Sequence, residues 1–263
     1  MNYFYKICIL VVIVISSVAC SSVRNDDGHS VQASDIENKA DYKQAALLNI
    51  ELGQTYLVQG QVSRAKKKLL HAVELAPNLP EAHSSLGYFF ESVGDNQMAD
   101  KYYRKAISLG KEQGLFHNNY GIFLCNQNKY KEADKEFALA IKDYNYPKTA
   151  ETYENAGLCA LKAGDQVKAE ANFNFAVRYD PKQVASLLEL TDLYFKRGEF
   201  VQAQDYLNRL KSQVEPSARM LWLAIQIAKN NNDPDSIASS SLLLKNKFAN
   251  SVEYNLYLQS QEK

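Results

Sequence analysis

The chain is predicted to be an all-α solenoid of about six helix-turn-helix repeats, wound into a right-handed superhelix. Three observations carry that expectation. Gly53, Gly87, Gly121, Gly157 and Thr191 stand 34, 34, 36 and 34 residues apart. Twelve residues after each comes an alanine: Ala65, Ala99, Ala133, Ala169 and Ala203. Gly60, Gly94, Gly164 and Gly198 fall between the two marks, where a turn is needed. Interleaved marks on one ruler of about 34 residues describe a unit that cannot bury its apolar face alone and stacks on its neighbours.

With the small residue set at position 8, five clear repeats begin at Ala46, Pro80, Gly114, Ala150 and Val184. Repeat one offers Leu52, Gly53, Tyr56, Ala65, Leu69, Ala72 and Pro77. These resemble the tetratricopeptide (TPR) pattern at positions 7, 8, 11, 20, 24, 27 and 32. Repeat two matches with Leu86, Phe90, Tyr103 and Ala106, repeat three with Tyr120, Leu124, Phe137 and Ala140. Repeat four matches with Ala156, Ala160, Phe173, Ala176 and Pro181, repeat five with Leu190, Tyr194 and Leu207. Small residues at 8, 20 and 27 let crossing helices approach, and large ones at 7, 11 and 24 fill the space around the contact. Pro77 and Pro181 stop second helices. Asp95 and Asp165 suit helix starts.

A degenerate sixth unit follows from about Ser217. It has one helix through Lys229 and a second from about Asp235 to Phe248, with Ala224 in the small-residue place. Terminal repeats depart from the consensus because they cap the stack. The solenoid therefore spans 39–250, and 251–263 form a tail with at most a brief helix. Two residues are inserted around Tyr144-Asn145-Tyr146-Pro147, which lengthens the connection between repeats three and four.

Residues 1–19 read as an address. Lys6 is the only charge, and Ile7 to Ile15 is an unbroken apolar run, too short for the roughly 20 residues that span a bilayer. The run ends in Ser17-Val18-Ala19-Cys20, which resembles a bacterial lipobox with Ser17 in place of the usual leucine. The resemblance implies cleavage before Cys20, acylation of that residue, and sorting to the outer membrane because residue 21 is serine. An uncleaved anchor or an ordinary secreted protein are the alternatives. Residues 20–38 are polar and read as a lipidated flexible tether with a reach of roughly 25 Å.

Thirty Lys and Arg face thirty Asp and Glu, so there is no electrostatic case for nucleic acid. His29, His71, His83 and His117 lack metal-ligand spacing, and no phosphate loop or nucleophile elbow is present. The chain reads as a binding protein without catalytic residues, cofactor or small-molecule substrate. Of four cysteines, Cys8 lies in the signal and Cys20 takes lipid. Cys125 and Cys159 fall on the first helices of repeats three and four, which are neighbours. An oxidising compartment favours a disulfide between them, and two buried thiols are the alternative.

A partner would meet the first helices, whose positions 2, 5, 9, 12 and 13 point into the concave face. The candidate groove residues are Leu47, Ile50, Gln54, Tyr88, Asn118, Ile122, Glu154, Leu158 and Asp192. Helix-lined grooves of this kind accept extended or helical peptides. TPR domains that grip chaperone tails use Lys and Asn at positions 5 and 9, and here Ile50 and Gln54 occupy those places.

Particular strings go beyond the TPR ruler. They include Asn118-Asn119-Tyr120-Gly121, Asn155-Ala156-Gly157-Leu158-Cys159-Ala160-Leu161, Leu221-Trp222-Leu223 and Ser251-Val252-Glu253-Tyr254. With the lipobox cysteine and six repeats, they resemble the PilF/PilW family of type IV pilus biogenesis and stability lipoproteins. The resemblance implies a pilotin, anchored in the outer membrane through acylated Cys20 and facing the periplasm. Such a protein binds the secretin subunit of the pilus and promotes its multimer assembly. The competing expectation is a TPR lipoprotein adaptor in outer-membrane β-barrel assembly or peptidoglycan-hydrolase regulation.

Overall fold

The computed structural model describes residues 23–24, 30–31, 33–111 and 113–261. Repeat one pairs α1 (Ala33–Val58) with α2 (Val62–Leu75), and repeat two pairs α3 (Pro80–Ser92) with α4 (Asn96–Leu109). Repeat three follows as α5 (Gly114–Asn126) and α6 (Tyr130–Lys142), then repeat four as α7 (Thr149–Lys162) and α8 (Gln166–Tyr179). Repeat five is α9 (Val184–Lys196) and α10 (Phe200–Lys211). The sixth unit is α11 (Ala218–Asn230) and α12 (Pro234–Phe248), closed by α13 (Val252–Gln259).

The amino-terminal boundary differs from expectation. Helix α1 begins at Ala33, so residues 33–38, expected in the tether, are helical. The two-residue strands β1 (Val23–Arg24) and β2 (Ser30–Val31) pair antiparallel ahead of it, a small exception to the all-α expectation. The expected signal 1–19 and Cys20 lie outside the described residues.

Each first helix packs on its own second helix and on the first helix of the next repeat. Second helices also touch the next first helix and meet one another through side chains, Lys168 of α8 with Asp134 of α6 and Tyr206 of α10 with Asn174 of α8. The result is an inner layer of first helices (α1, α3, α5, α7, α9, α11) and an outer layer of second helices.

The contact within each pair is set by a missing side chain. A Cβ on Gly87 would sit 2.8 Å from the Tyr103 ring, one on Gly121 2.7 Å from Phe137, and one on Gly157 2.6 Å from Phe173. Position 8 is therefore small to admit the position-24 side chain, more than to bring two backbones together. In repeat five Thr191 is accommodated because its hydroxyl donates to the Leu187 carbonyl at 2.8 Å, leaving no buried polar atom unpaired. The alanines at position 20 are fully buried throughout.

Turns between paired helices need a left-handed residue. Gly94 (φ 80°) supplies it in repeat two, and Asn128 (φ 60°) takes the role in repeat three, where the glycine series has a gap. Asp95 and Asp165 cap α4 and α8, accepting from the backbone N–H of Met98 and Lys168. The inserted connection is anchored rather than loose. Asp143 accepts from the Gly114 N–H at 2.8 Å, and Tyr146 folds back, buried against Gly114.

His83 and His117 occupy position 4 of successive repeats and both point a ring nitrogen at a carbonyl of the preceding connection. Nε2 of His83 meets the Pro77 oxygen at 2.8 Å, and Nε2 of His117 meets the Lys111 oxygen at 3.0 Å. Their second nitrogens differ. His83 stacks on Tyr102, whereas Nδ1 of His117 lies 2.7 Å from the Glu136 carboxylate. With an acceptor at both nitrogens, His117 donates twice as an imidazolium, and the Glu136 hydrogen bond raises its pKa above the ordinary histidine value.

Two outcomes follow from this packing. Gly157→Ala forces the buried Phe173 ring aside at a cost of about 1–3 kcal/mol and regains about 1 kcal/mol of helix propensity, so it is expected to lower unfolding free energy by up to about 2 kcal/mol. Urea denaturation checks this, and an unchanged midpoint would show that the ring can move freely. For His117 the folded pKa is raised, so its stabilisation is complete below the ordinary histidine pKa and is lost as pH rises through the folded value. The stability gap between the protein and His117→Gln is therefore larger at about pH 6 than at about pH 9. A gap independent of pH would refute the charged assignment.

Candidate partner-binding groove

The inner layer places position 5 of each first helix against its neighbour rather than toward solvent. Ile50 is only 7% exposed and packs in a core cluster with Ala46, Ala72, Leu79 and Ala82, so it does not line the groove as expected. Asn118, 6% exposed, is likewise closed off and accepts from Asn155 Nδ2 at 3.1 Å. Glu154 is half-buried and turned to α9, accepting from both the backbone N–H and the hydroxyl of Ser186 at 2.9 Å. The reason is geometric: first helices pack side by side, and position 5 faces the seam between them.

The seam is polar along its length. Gln54 donates to Ser85 at 3.2 Å, Asn119 to Ser84 at 3.2 Å, Asn126 to Glu91 at 3.0 Å, and Lys162 to Asn126 at 2.9 Å. At the carboxyl end Arg219 forks onto Glu189 and reaches Asp192 at 3.0 Å, while Lys196 also pairs with Asp192. The carboxylates around Arg219, led by Glu189, which accepts its hydrogen bonds, hold its guanidinium pKa above its ordinary value. Asp192 is thus engaged from two sides.

Above this floor a concavity of ≈ 300 Å³ opens across repeats one to three, lined by Gln54, Ser84, Ser85, Tyr88, Glu91, Tyr103, Asn119, Ile122 and Asn126. Tyr88 is 55% exposed and Ile122 half-buried, so an aromatic and an aliphatic face flank a floor of amides and hydroxyls. Leu47 and Leu158 are half-buried at either side along the same layer. The concavity gathers Gln54, Tyr88 and Ile122, and leaves Ile50, Asn118, Glu154 and Asp192 to the seams. It can hold an extended chain by backbone hydrogen bonds to amides while apolar side chains rest on Tyr88 and Ile122.

Ser85, Asn119 and Tyr103 line the concavity although sequence reasoning did not place them there, and Tyr103 is the one that comes from a second helix. It sits on α4, in the outer layer, and reads as core. Because Gly87 has no side chain, the ring passes between the helices and its hydroxyl donates to Glu91 at 2.9 Å on the concave side. Burial, then the Glu91 carboxylate, push the Tyr103 hydroxyl pKa far up, so it stays a donor. The signal was available as a tyrosine opposite a position-8 glycine with a glutamate at position 12.

At the middle of the layer Cys125 and Cys159 are joined in a disulfide, with Cα atoms 5.8 Å apart and 34 residues between them. It ties the last turns of α5 and α7, at the end opposite the inserted connection, which packs on Gly114. Reduction, or the double change Cys125→Ser with Cys159→Ser, is expected to cost about 2–4 kcal/mol of stability. Urea midpoints with and without dithiothreitol measure this, and coincident curves would show the bridge to be stability-neutral.

Two segments match the tetratricopeptide repeat family, residues 82–115 and residues 160–222. The type IV pilus assembly protein PilF of Pseudomonas aeruginosa is 35% identical over 205 residues, covering 78% of this chain and 81% of that protein. A solved structure of Pseudomonas aeruginosa PilF superposes with a TM-score of 0.74 at 33% identity, over 85% of this chain and all of that one (100%). The crystal structure of PilW, described as a widely conserved type IV pilus biogenesis factor, superposes with a TM-score of 0.71 over 82% of this chain and 99% of that chain. At 24% identity it shows the fold. On the identity and coverage of PilF, the chain belongs to the PilF family of type IV pilus biogenesis TPR proteins.

Proposed function

We propose that the protein is a pilotin: it binds the secretin subunit of the type IV pilus and promotes secretin localisation and multimer assembly in the outer membrane. Kinship with a type IV pilus assembly protein over most of both chains is the observation that carries this reading. The groove supports it with a surface suited to one extended segment of another protein. Its floor holds donors and acceptors in fixed positions, and its flanks offer apolar contact at Tyr88 and Ile122. In this reading acylated Cys20 supplies the membrane address and the solenoid supplies recognition. Assembly is driven by binding alone, with no covalent step.

Unheated outer-membrane extracts test the proposal by displaying the secretin's detergent-resistant multimer. Deletion of the gene is expected to abolish the multimer while the monomer persists, and Cys20→Ala is expected to move the protein and the secretin away from the outer membrane. Tyr88→Ala is expected to weaken capture of the secretin by roughly ten-fold or more at an unchanged melting temperature, because Tyr88 is exposed. Undiminished multimers in the deletion strain would exclude the pilotin role and leave the adaptor reading.

A further inference from the structure

The chain is neutral overall, yet its charge is divided between the two layers. Outer helices α2, α4 and α6 carry ten Lys or Arg against five Asp or Glu. Inner helices α3, α5, α7 and α9 carry two against six. Most of the outer carboxylates are already engaged. Glu74 meets His71, Asp100 meets Arg104 and the Tyr120 hydroxyl, Asp134 meets Lys168, and Glu136 meets His117. These contacts turn three of the acids toward other helices, Asp100 and Glu136 to α5 and Asp134 to α8.

Three of those side chains share one repeat position. Lys67, Lys101 and Lys135 are spaced 34 and 34 residues apart, all at position 22 of their repeats. All three are exposed. Among the described residues none forms an ion pair. Stacking repeats carry equivalent positions into equivalent places, so the three form one row along the convex face of repeats one to three. A row of like, unmatched charges adds repulsion and nothing to the fold.

We infer that this convex lysine row docks the first three repeats on an anionic lipid surface. The row is exposed along the outer face of three successive repeats, where an extended charged surface can meet every lysine. Lysine is a hydrated point charge on a flexible stem, which suits a smeared surface potential better than the fixed geometry of a paired carboxylate. Docked this way, the concave groove faces away from the membrane and stays open to a partner. The inference rests on charge placement and goes beyond the pilotin reading.

Cosedimentation of the full chain with phosphatidylcholine vesicles, with and without about a third phosphatidylglycerol, tests it. Acyl chains and apolar segments act alike on both vesicles, so the affinity ratio isolates charge. The unaltered protein is expected to prefer the anionic vesicles by roughly ten-fold or more, and the preference is expected to collapse at about 0.5 M salt. The triple variant Lys67→Ala, Lys101→Ala, Lys135→Ala is expected to bring the ratio near one. A second triple variant, Lys182→Ala, Lys211→Ala, Lys245→Ala, removes equal charge elsewhere and is expected to keep the preference. Melting curves should coincide, because all six positions are exposed. A ratio near one for the unaltered protein, retention of the preference by the row variant, or equal loss in both triple variants would overturn the inference. The secretin multimer is read in a separate assay, so either proposal can fail while the other stands.

Discussion

Repeats one to four depend on one contact: a large position-24 side chain lying over a position-8 glycine. Where Phe137 and Phe173 cross Gly121 and Gly157, the paired helices close on a ring, and the ring fills the volume that a Cβ would occupy. Interiors are packed to crystal-like density, so this match admits few substitutes. Fully buried alanines at positions 20 and 27 extend the same close approach to the partner helix and to the next repeat. Because the contact recurs on a fixed period, the same relative placement is applied again and again, and first and second helices sort into an inner and an outer layer.

That sorting has a chemical consequence. First helices lie side by side, and the seams between them are filled by amides, hydroxyls and carboxylates such as Asn118 with Asn155 and Glu154 with Ser186. A half-buried polar group is stable only when it is paired, so these bridges hold neighbouring helices in register and give the groove a floor whose polar atoms are fixed in advance. Preorganisation lowers the entropy cost of binding an extended partner. The disulfide between Cys125 and Cys159 ties the last turns of α5 and α7, and buried Tyr146 anchors the inserted connection at the opposite end of the same two helices.

The two layers also divide the electrostatics. Position 21 of successive second helices carries Asp100, Asp134 and Glu170, which bind Tyr120, Lys168 and Tyr194 of the following repeats. Arg197 beside Glu170 holds its carboxyl below the usual carboxylate range, and burial together with Glu170 pushes the Tyr194 hydroxyl to about 12. Acids are drawn into the joints between repeats while lysines remain outside. A protein with equal numbers of charges of each sign thus presents a basic back and an acidic, polar front.

The sequence by itself determined the repeat architecture and its register, because period, small residues and turn glycines are local signals that the fold repeats without change. It also marked Cys125 and Cys159 as neighbours, since a one-repeat separation places two residues on adjacent first helices. Only the tertiary structure decided which groove positions are open. Ile50, Asn118 and Glu154 lie on the face that periodicity assigns to the groove, yet adjacent first helices approach closely enough to cover them. Tyr103 reads as core from its position and reaches the groove only because Gly87 leaves a passage between the helices. Periodicity specifies the direction in which a side chain leaves its helix, while the separation of neighbouring helices decides whether that direction ends in solvent or in another chain segment.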